Sequence, residues 1–174
     1  SLHDALPISD SDLYLDLDQA DTCGLIWRWT DASNYYELLV FDASSSAGST
    51  NVLKLYKIVA NVKTQIGGNL TISHTRGDVH RVRAMMVGTA LTICHDGKTL
   101  LSTTDSALSG PGKVGLSNVS GVGRFYNLRI QQLGETAIAK KAYTRFTLTS
   151  TDATATPRVT NATTMVTDPN IAIG

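Results

Sequence analysis

Between Gly24 and Asp42 apolar and polar positions alternate on either side of a short polar break, Asp31-Ala32-Ser33-Asn34. This spacing predicts a β-hairpin with a four-residue loop, in which Thr30 pairs with Tyr35, Arg28 with Glu37 and Ile26 with Leu39. Trp29 then faces Tyr36, Trp27 faces Leu38 and Leu25 faces Val40, so one side of the hairpin is wholly apolar. The other side carries an expected Arg28–Glu37 cross-strand ion pair beside Tyr35. Upstream, Leu13, Leu15 and Leu17 alternate with Tyr14, Asp16 and Asp18, the pattern of a half-buried strand over Ser11 to Asp18.

Downstream, Ala43 to Thr50 reads as a surface loop and Val52 to Val62 as a strand. Gly67-Gly68-Asn69 reads as a turn, with a short strand at Leu70 to Ser73. A second sharp hairpin is expected from His80 to His95, because Gly88-Thr89 makes a two-residue turn with glycine first. Met86 then pairs with Leu91, Ala84 with Ile93 and Val82 with His95. On its opposite face Arg83 meets Cys94, Arg81 meets Asp96 and Met85 meets Thr92. Asp96-Gly97 turns the chain into a strand at Thr99 to Ser102, and Ser109 to Gly112 turns it toward Val114 to Leu116 and Val122 to Gln132. Roughly nine or ten short strands with no helix-length pattern predict an all-β, antiparallel β-sandwich or jelly roll.

At 174 residues and 42% hydrophobic content the chain can bury a full core. Its 15 basic and 15 acidic side chains cancel, which speaks against nucleic acid as a partner, and no apolar run is long enough for a membrane span. Cys23 falls on the core side of its strand and Cys94 on the outer side of its hairpin, so no disulfide is expected between them. Residues 1–8, SLHDALPI, resemble the translation of a sequencing adapter and are set aside. The jelly roll is expected over 9–133. From Gly134 the composition turns to Thr and Ala, with strand-like pieces at Phe146–Thr149 and Val159–Val166, read as a linker and the start of a second β module.

The run GLIWRWTDASNYYELLV, then VLKLYKIV, DVHRVRAMMVGTALTICHDGKTLL, GPGKVGLSN and GRFYNLRI resembles the laminin-G-like branch of the concanavalin A-like lectin/glucanase superfamily, over about residues 11 to 132. The resemblance implies a non-catalytic glycan-binding or adhesion module in a larger extracellular or virion-associated, phage-tail-like protein, with glycans and neighbouring domains or subunits as partners. A structural spacer without a sugar ligand is the alternative. Glycoside hydrolase activity ranks third, because the chain has only Glu37 and Glu135 and lacks the Glu-x-Asp-x-x-Glu strand that a carboxylate pair about 5 Å apart requires. No cofactor is expected. Where relatives hold a structural calcium through a Phe-Asp-Asn triplet, this chain has Phe125-Tyr126-Asn127 and lacks the aspartate.

Trp27, Trp29 and Tyr36 are expected in the core by their parity. The candidate ligand residues are Arg28, Tyr35, Glu37, Arg81, Arg83 and Asp96, placed together on one polar face that supplies planar donors, acceptors and an aromatic ring for glycan hydroxyls. Lys54 and Tyr56 extend that face if their strand joins the same sheet. Asp16, Asp18 and Asp21 read as surface carboxylates. His74, His80 and His95 lack metal-ligand spacing, and no metal site is assigned.

Overall fold

The computed structural model describes residues 10–42, 51–75, 77–133 and 140–150. Nine antiparallel strands appear among them: β1 (Ser11–Asp31), β2 (Asn34–Phe41), β3 (Val52–Val59), β4 (Val62–Thr71), β5 (His80–Val87), β6 (Ala90–His95), β7 (Lys98–Thr104), β8 (Lys113–Gln132) and β9 (Lys140–Ser150). Among the described residues no helix is long and apolar enough to cross a membrane.

Two long strands organise the fold. Ser11–Leu17 of β1 pairs with β5, whereas Thr22–Trp27 of the same strand pairs with β2, and β8 follows the other edge of β1 throughout. Both strands therefore pass from one layer to the other. Gly121 lies at this crossing with a φ of 69°, a conformation glycine adopts without Cβ strain. The result is a first layer, β4-β3-β2-β1-β8, and a second, β7-β6-β5-β1-β8-β9. Their inner faces share one core of Leu13, Leu15, Leu17, Leu25, Trp27, Tyr36, Leu38, Leu53, Leu55, Val82, Ile93 and Phe125, among others. Each fully buried aliphatic or aromatic side chain there contributes about 1.5–3 kcal/mol of transfer free energy. This is the all-β jelly-roll sandwich expected from the alternation.

The His80–His95 hairpin forms in the expected register, residue for residue from Val82↔His95 to Met86↔Leu91. The first hairpin does not. Trp27 pairs with Tyr36, Ile26 with Glu37 and Leu25 with Leu38, two residues away from the expected pairing, and Asp31 pairs with Asn34 across a two-residue turn. The Asp31 carboxylate accepts the Ser33 backbone N–H at 2.7 Å and so closes this turn. The difference is absorbed by a bulge at Arg28-Trp29-Thr30, where Arg28 takes a left-handed φ of 47°. Shifting register by two preserves the faces, so Trp27 and Tyr36 reach the core as expected. Within the bulge alternation is reset: Arg28 turns inward and Trp29 turns out.

Other boundaries also differ. Val52 to Val62 is not one strand; Ala60 and Asn61, both left-handed, turn β3 into β4. β4 continues through Gly67-Gly68-Asn69, not as the expected turn but as a bulge in which Gly67 takes a left-handed φ of 70° and the register against β3 shifts. Val114–Leu116 and Val122–Gln132 belong to one strand, β8. Cys23 and Cys94 are both free and buried, Cys23 within the core. Phe146–Thr149 falls inside β9, which pairs along β8. Residues 1–8 and Val159–Val166 lie outside the described residues.

Candidate functional site

The six candidate residues are not brought to one face. Tyr35 and Glu37 lie on the outer face of the first layer, Arg81, Arg83 and Asp96 on the outer face of the second, and Arg28 at one end between the layers. Alternation correctly put five of them outside their strands. It carried no information about which layer each strand would join.

Arg28 is a clamp rather than a ligand residue. Its guanidinium donates to the Leu108 carbonyl and to the Gly88 carbonyl, both at 2.8 Å, and lies 3.5 Å from the Asp10 carboxylate, with its side chain 1% exposed. The expected Arg28–Glu37 ion pair is absent, because the bulge sends the two side chains to opposite sides of the sheet. Nearby, the Tyr36 hydroxyl donates to Asp105 at 2.7 Å, and Lys57 pairs with the same carboxylate at 2.6 Å. Together these groups pin the segment after β7 across the end of the sandwich. Burial pushes the Tyr36 hydroxyl well above its ordinary range, with the Asp105 hydrogen bond adding to it.

The outer face of the first layer centres on Glu37. Its carboxylate is fully buried, accepting from Lys63 Nζ at 2.7 Å and from the Ser117 hydroxyl at 2.8 Å. Tyr35, Ile26 and Ile58 pack beside it with the half-buried Trp29 and Tyr56. Three ammonium groups sit over aromatic rings on this face: Lys63 over Tyr56 at 4.2 Å, Lys54 over Phe41 at 4.7 Å and Lys113 over Trp29 at 5.2 Å. Burial, followed by the Glu37 charge, raises the Tyr35 hydroxyl to about 12 and moves Tyr56 in the same direction, so both stay protonated donors at neutral pH. Lys54 and Tyr56 thus do join Tyr35 and Glu37. Lys63, Lys113, Ser117 and Trp29 were missed. The signal for Lys63 was Ala60-Asn61: as a two-residue turn it places Lys63 opposite Ile58, on the Tyr56 side.

On the second layer, the outward row Asp12, Tyr14, Asp16 and Asp18 of β1 meets arginines from both neighbouring strands. Arg81 forks onto Asp16 through Nε at 2.5 Å and Nη2 at 2.9 Å, and Arg83 forks onto Asp12 at 2.8 Å through both atoms. Arg124 reaches Asp18 at 2.9 Å, and the Arg83 guanidinium lies 4.8 Å from the Tyr14 ring. The Arg81 hydrogen bonds hold Asp16 below the usual carboxylate range. Asp96 accepts the Arg81 backbone N–H at 2.7 Å and begins the β6–β7 turn. Beneath this end of the layer, His80 and His95 share a buried 2.9 Å hydrogen bond, and the His74 ring packs edge-on to His80 at 4.6 Å. Burial drives His80 down to about 3, so the pair is neutral in the folded state. Among the described residues no three His, Cys, Asp or Glu side chains are grouped to hold a metal ion.

The calcium that the resemblance implies does not fit this donor set. Asp16, which pairs with Tyr126 across β1 and β8, already gives its carboxylate to Arg81 and to the Asn127 amide, and Asp18 gives its own to Arg124. A hard cation needs those oxygens unshared with guanidinium groups.

No protein-family model matches the chain, and no curated protein sequence matches it either. Among solved structures, the carbohydrate binding module CBM66 from Bacillus subtilis is similar at a TM-score of 0.55 and 21% identity, covering 64% of this chain and 68% of that one. The ancestral congerin Con-anc is similar at a TM-score of 0.52 and 9% identity, covering 72% of this chain and 92% of its own. A tetrameric galectin from the ball sponge Cinachyrella sp. follows at 0.48 and 13% identity, with coverages of 82% and 94%. Likeness at these identities is likeness of fold, and the fold is the antiparallel jelly roll built above.

Proposed function

We propose that the chain is a non-catalytic carbohydrate-binding module of the laminin-G-like kind, and that its glycan site is the outer face of the first layer. The observation that carries this reading is the set of lysines poised over Tyr56, Phe41 and Trp29 around the buried Glu37 carboxylate. The half-buried Trp29 and Tyr56 rings supply stacking surface for a sugar's C–H face. The Lys113 ammonium can swing from ring to ligand, since a cation–π contact at an exposed site is worth only about 0.5–1 kcal/mol, whereas Lys63, held by Glu37, presents its remaining N–H donors from a fixed position. Glu37 is too deeply buried to touch a ligand; it anchors Lys63 and Ser117 from below. Among the described residues this face gathers Lys54, Lys63 and Lys113 around the single carboxylate of Glu37, which favours an acidic glycan bearing carboxylate or sulfate. The fold likeness to the carbohydrate binding module CBM66, at a TM-score of 0.55, supports the general class. An extracellular or virion-surface setting, with neighbouring domains or subunits, belongs to the same reading.

The test compares heparin and polygalacturonate with dextran and mannan as probes over a salt series. Expected is binding to the acidic polymers that weakens with salt and falls at least tenfold in Lys63→Gln and Lys113→Gln, both at half-exposed or exposed positions. Equal retention of all four polymers, or acidic binding untouched by either substitution, overturns the assignment. A folded protein that binds none of them moves the reading to the structural spacer.

A further inference from the structure

The second outer face carries a groove that the proposal above does not use. It encloses about 560 Å³, within the range of small-ligand sites, and is lined by Tyr14, Asp16, Val79, Arg81, Arg83 and Asp96, with His80, Cys94 and Gly97 completing it. Its floor is unusually well held for an exposed sheet surface. Asp12 and Asp16 are 6% and 7% exposed beneath the arginines, and each fork uses two of a guanidinium's five N–H donors. The unused edges, above all that of Arg81 with its side chain 51% exposed, are thereby fixed in direction. Ion pairs at this exposure add little to stability, so rigidity of the donor array, not stability, is what they provide.

We infer that this groove is a second binding site, and that its ligand is an uncharged, hydroxyl-rich glycan segment. Arg81 and Arg83 face Asp12, Asp16 and Asp96 here, and Arg129, which pairs across from Tyr14 and acts on Asp16, brings the count to three of each sign, so the charges cancel and a ligand of either sign meets an opposing group beside each attractive one. A vicinal diol meets none: one hydroxyl accepts from a guanidinium edge while its neighbour donates to a carboxylate oxygen. Asp96 supplies such an acceptor, half exposed at 51%, and its position is set by its bond to the Arg81 N–H. Val79, 57% exposed at the rim, and the Tyr14 ring give apolar surface for the sugar's C–H edge. The module is then two-sided, with a cationic aromatic face on one layer and a neutral donor–acceptor groove on the other. The inference shares the glycan-binding class of the reading above but requires nothing of the first face.

The experiment is a set of ¹H–¹⁵N spectra of the full chain with millimolar maltohexaose, cellohexaose and mannohexaose, and separately with a heparin oligosaccharide. Expected is saturable movement of the Tyr14, Arg81, Arg83, Asp96 and Gly97 amides with at least one neutral hexasaccharide. That movement disappears in Val79→Trp, which fills the groove from an exposed position and leaves both Arg–Asp forks intact, and it persists in Lys63→Gln. Arg81→Lys keeps the charge but not the fork, and lowers affinity at least fivefold. If no neutral probe moves these amides, or if the shifts survive Val79→Trp, the second site is wrong. Heparin shifts around Lys63, Tyr56 and Gly115 report on the first face alone, so either site can fail without the other.

Discussion

Acid should loosen this fold through one identifiable pair of rings. His80 is buried on the inner side of β5, hydrogen-bonded to His95, with His74 packed against it; Asp96 lies 3.5 Å from His95, Asp16 and Arg81 flank the outer side, and Lys98 pairs in register with His95. The folded state holds His80 neutral down to about 3, whereas an unfolded histidine protonates near 6.5. The unfolded chain therefore binds the extra proton between those values. Stability from this group is complete above about pH 6.5 and is lost as pH falls toward 3. At pH 5 the loss is about 1.5 pH units at 1.36 kcal/mol each, or ~2 kcal/mol from His80, relative to neutral pH. His95, also held down by burial, adds in the same direction. Urea unfolding at neutral pH and near pH 5 measures the difference in the wild type and in His80→Gln, which retains a hydrogen-bonding group but cannot titrate. Expected is a loss in the wild type that exceeds the variant's by ~2 kcal/mol, the share of His80 alone. Equal losses in the two refute the argument, as does a His80 ring proton that titrates near pH 6 in the native NMR spectrum, a measurement that does not depend on the variant folding.

Arg28→Ala should cost about 3–5 kcal/mol in urea unfolding, because it strands the Gly88 and Leu108 carbonyls and empties the buried space of the side chain; a loss under about 1 kcal/mol would remove the clamp. Glu37→Gln should cost less than about 1.5 kcal/mol, since the Lys63 ammonium it releases is 36% exposed, yet should weaken heparin binding as Lys63 loses its anchor. Gly112→Ala and Gly115→Ala should behave oppositely in a thermal melt. A Cβ at Gly112 falls 2.4 Å from the Arg28 carbonyl carbon and forces the bulge apart, whereas one at Gly115 meets nothing within 4 Å and leaves the fold intact. Cys23 should resist a thiol reagent in the folded protein and react only on unfolding, because burial raises its thiol well above the ordinary range.

How far the sequence revealed this molecule depended on whether a local rule or a tertiary one governed each element. The β5–β6 hairpin was fully legible, because a glycine-first two-residue turn sets register by its own geometry. The β1–β2 hairpin was legible in its faces and not in its register. Trp27-Arg28-Trp29 alternates like any strand, and nothing local marks Arg28 as left-handed; the carbonyls of Gly88 and Leu108, far along the chain, and the close approach of Gly112 favour that turn inward. Glycine misled in the opposite way at Gly67-Gly68, where β4 pairs only with β3 among the described strands, and an edge strand tolerates a glycine irregularity that a central strand does not.

The candidate site shows the same division. Period two places a side chain on one side of its strand, and it did so correctly for Tyr35, Glu37, Arg81, Arg83 and Asp96; only the residue inside the bulge was misplaced. Which outer face that side becomes is decided by the passage of β1 and β8 between layers, a property of strands too long and too evenly patterned to show where they bend. Because Ser11–Leu17 and Thr22–Trp27 belong to one strand yet to different layers, residues that look like neighbours on a single polar face end on opposite sides of the molecule. The apparent single site is thereby resolved into two of different chemistry. Lysines and rings gather around one buried carboxylate on the first layer. Forked arginines and aspartates with cancelling charge line the second. A ligand that suits one face gains little on the other, so each face is open to substitution and to test by itself.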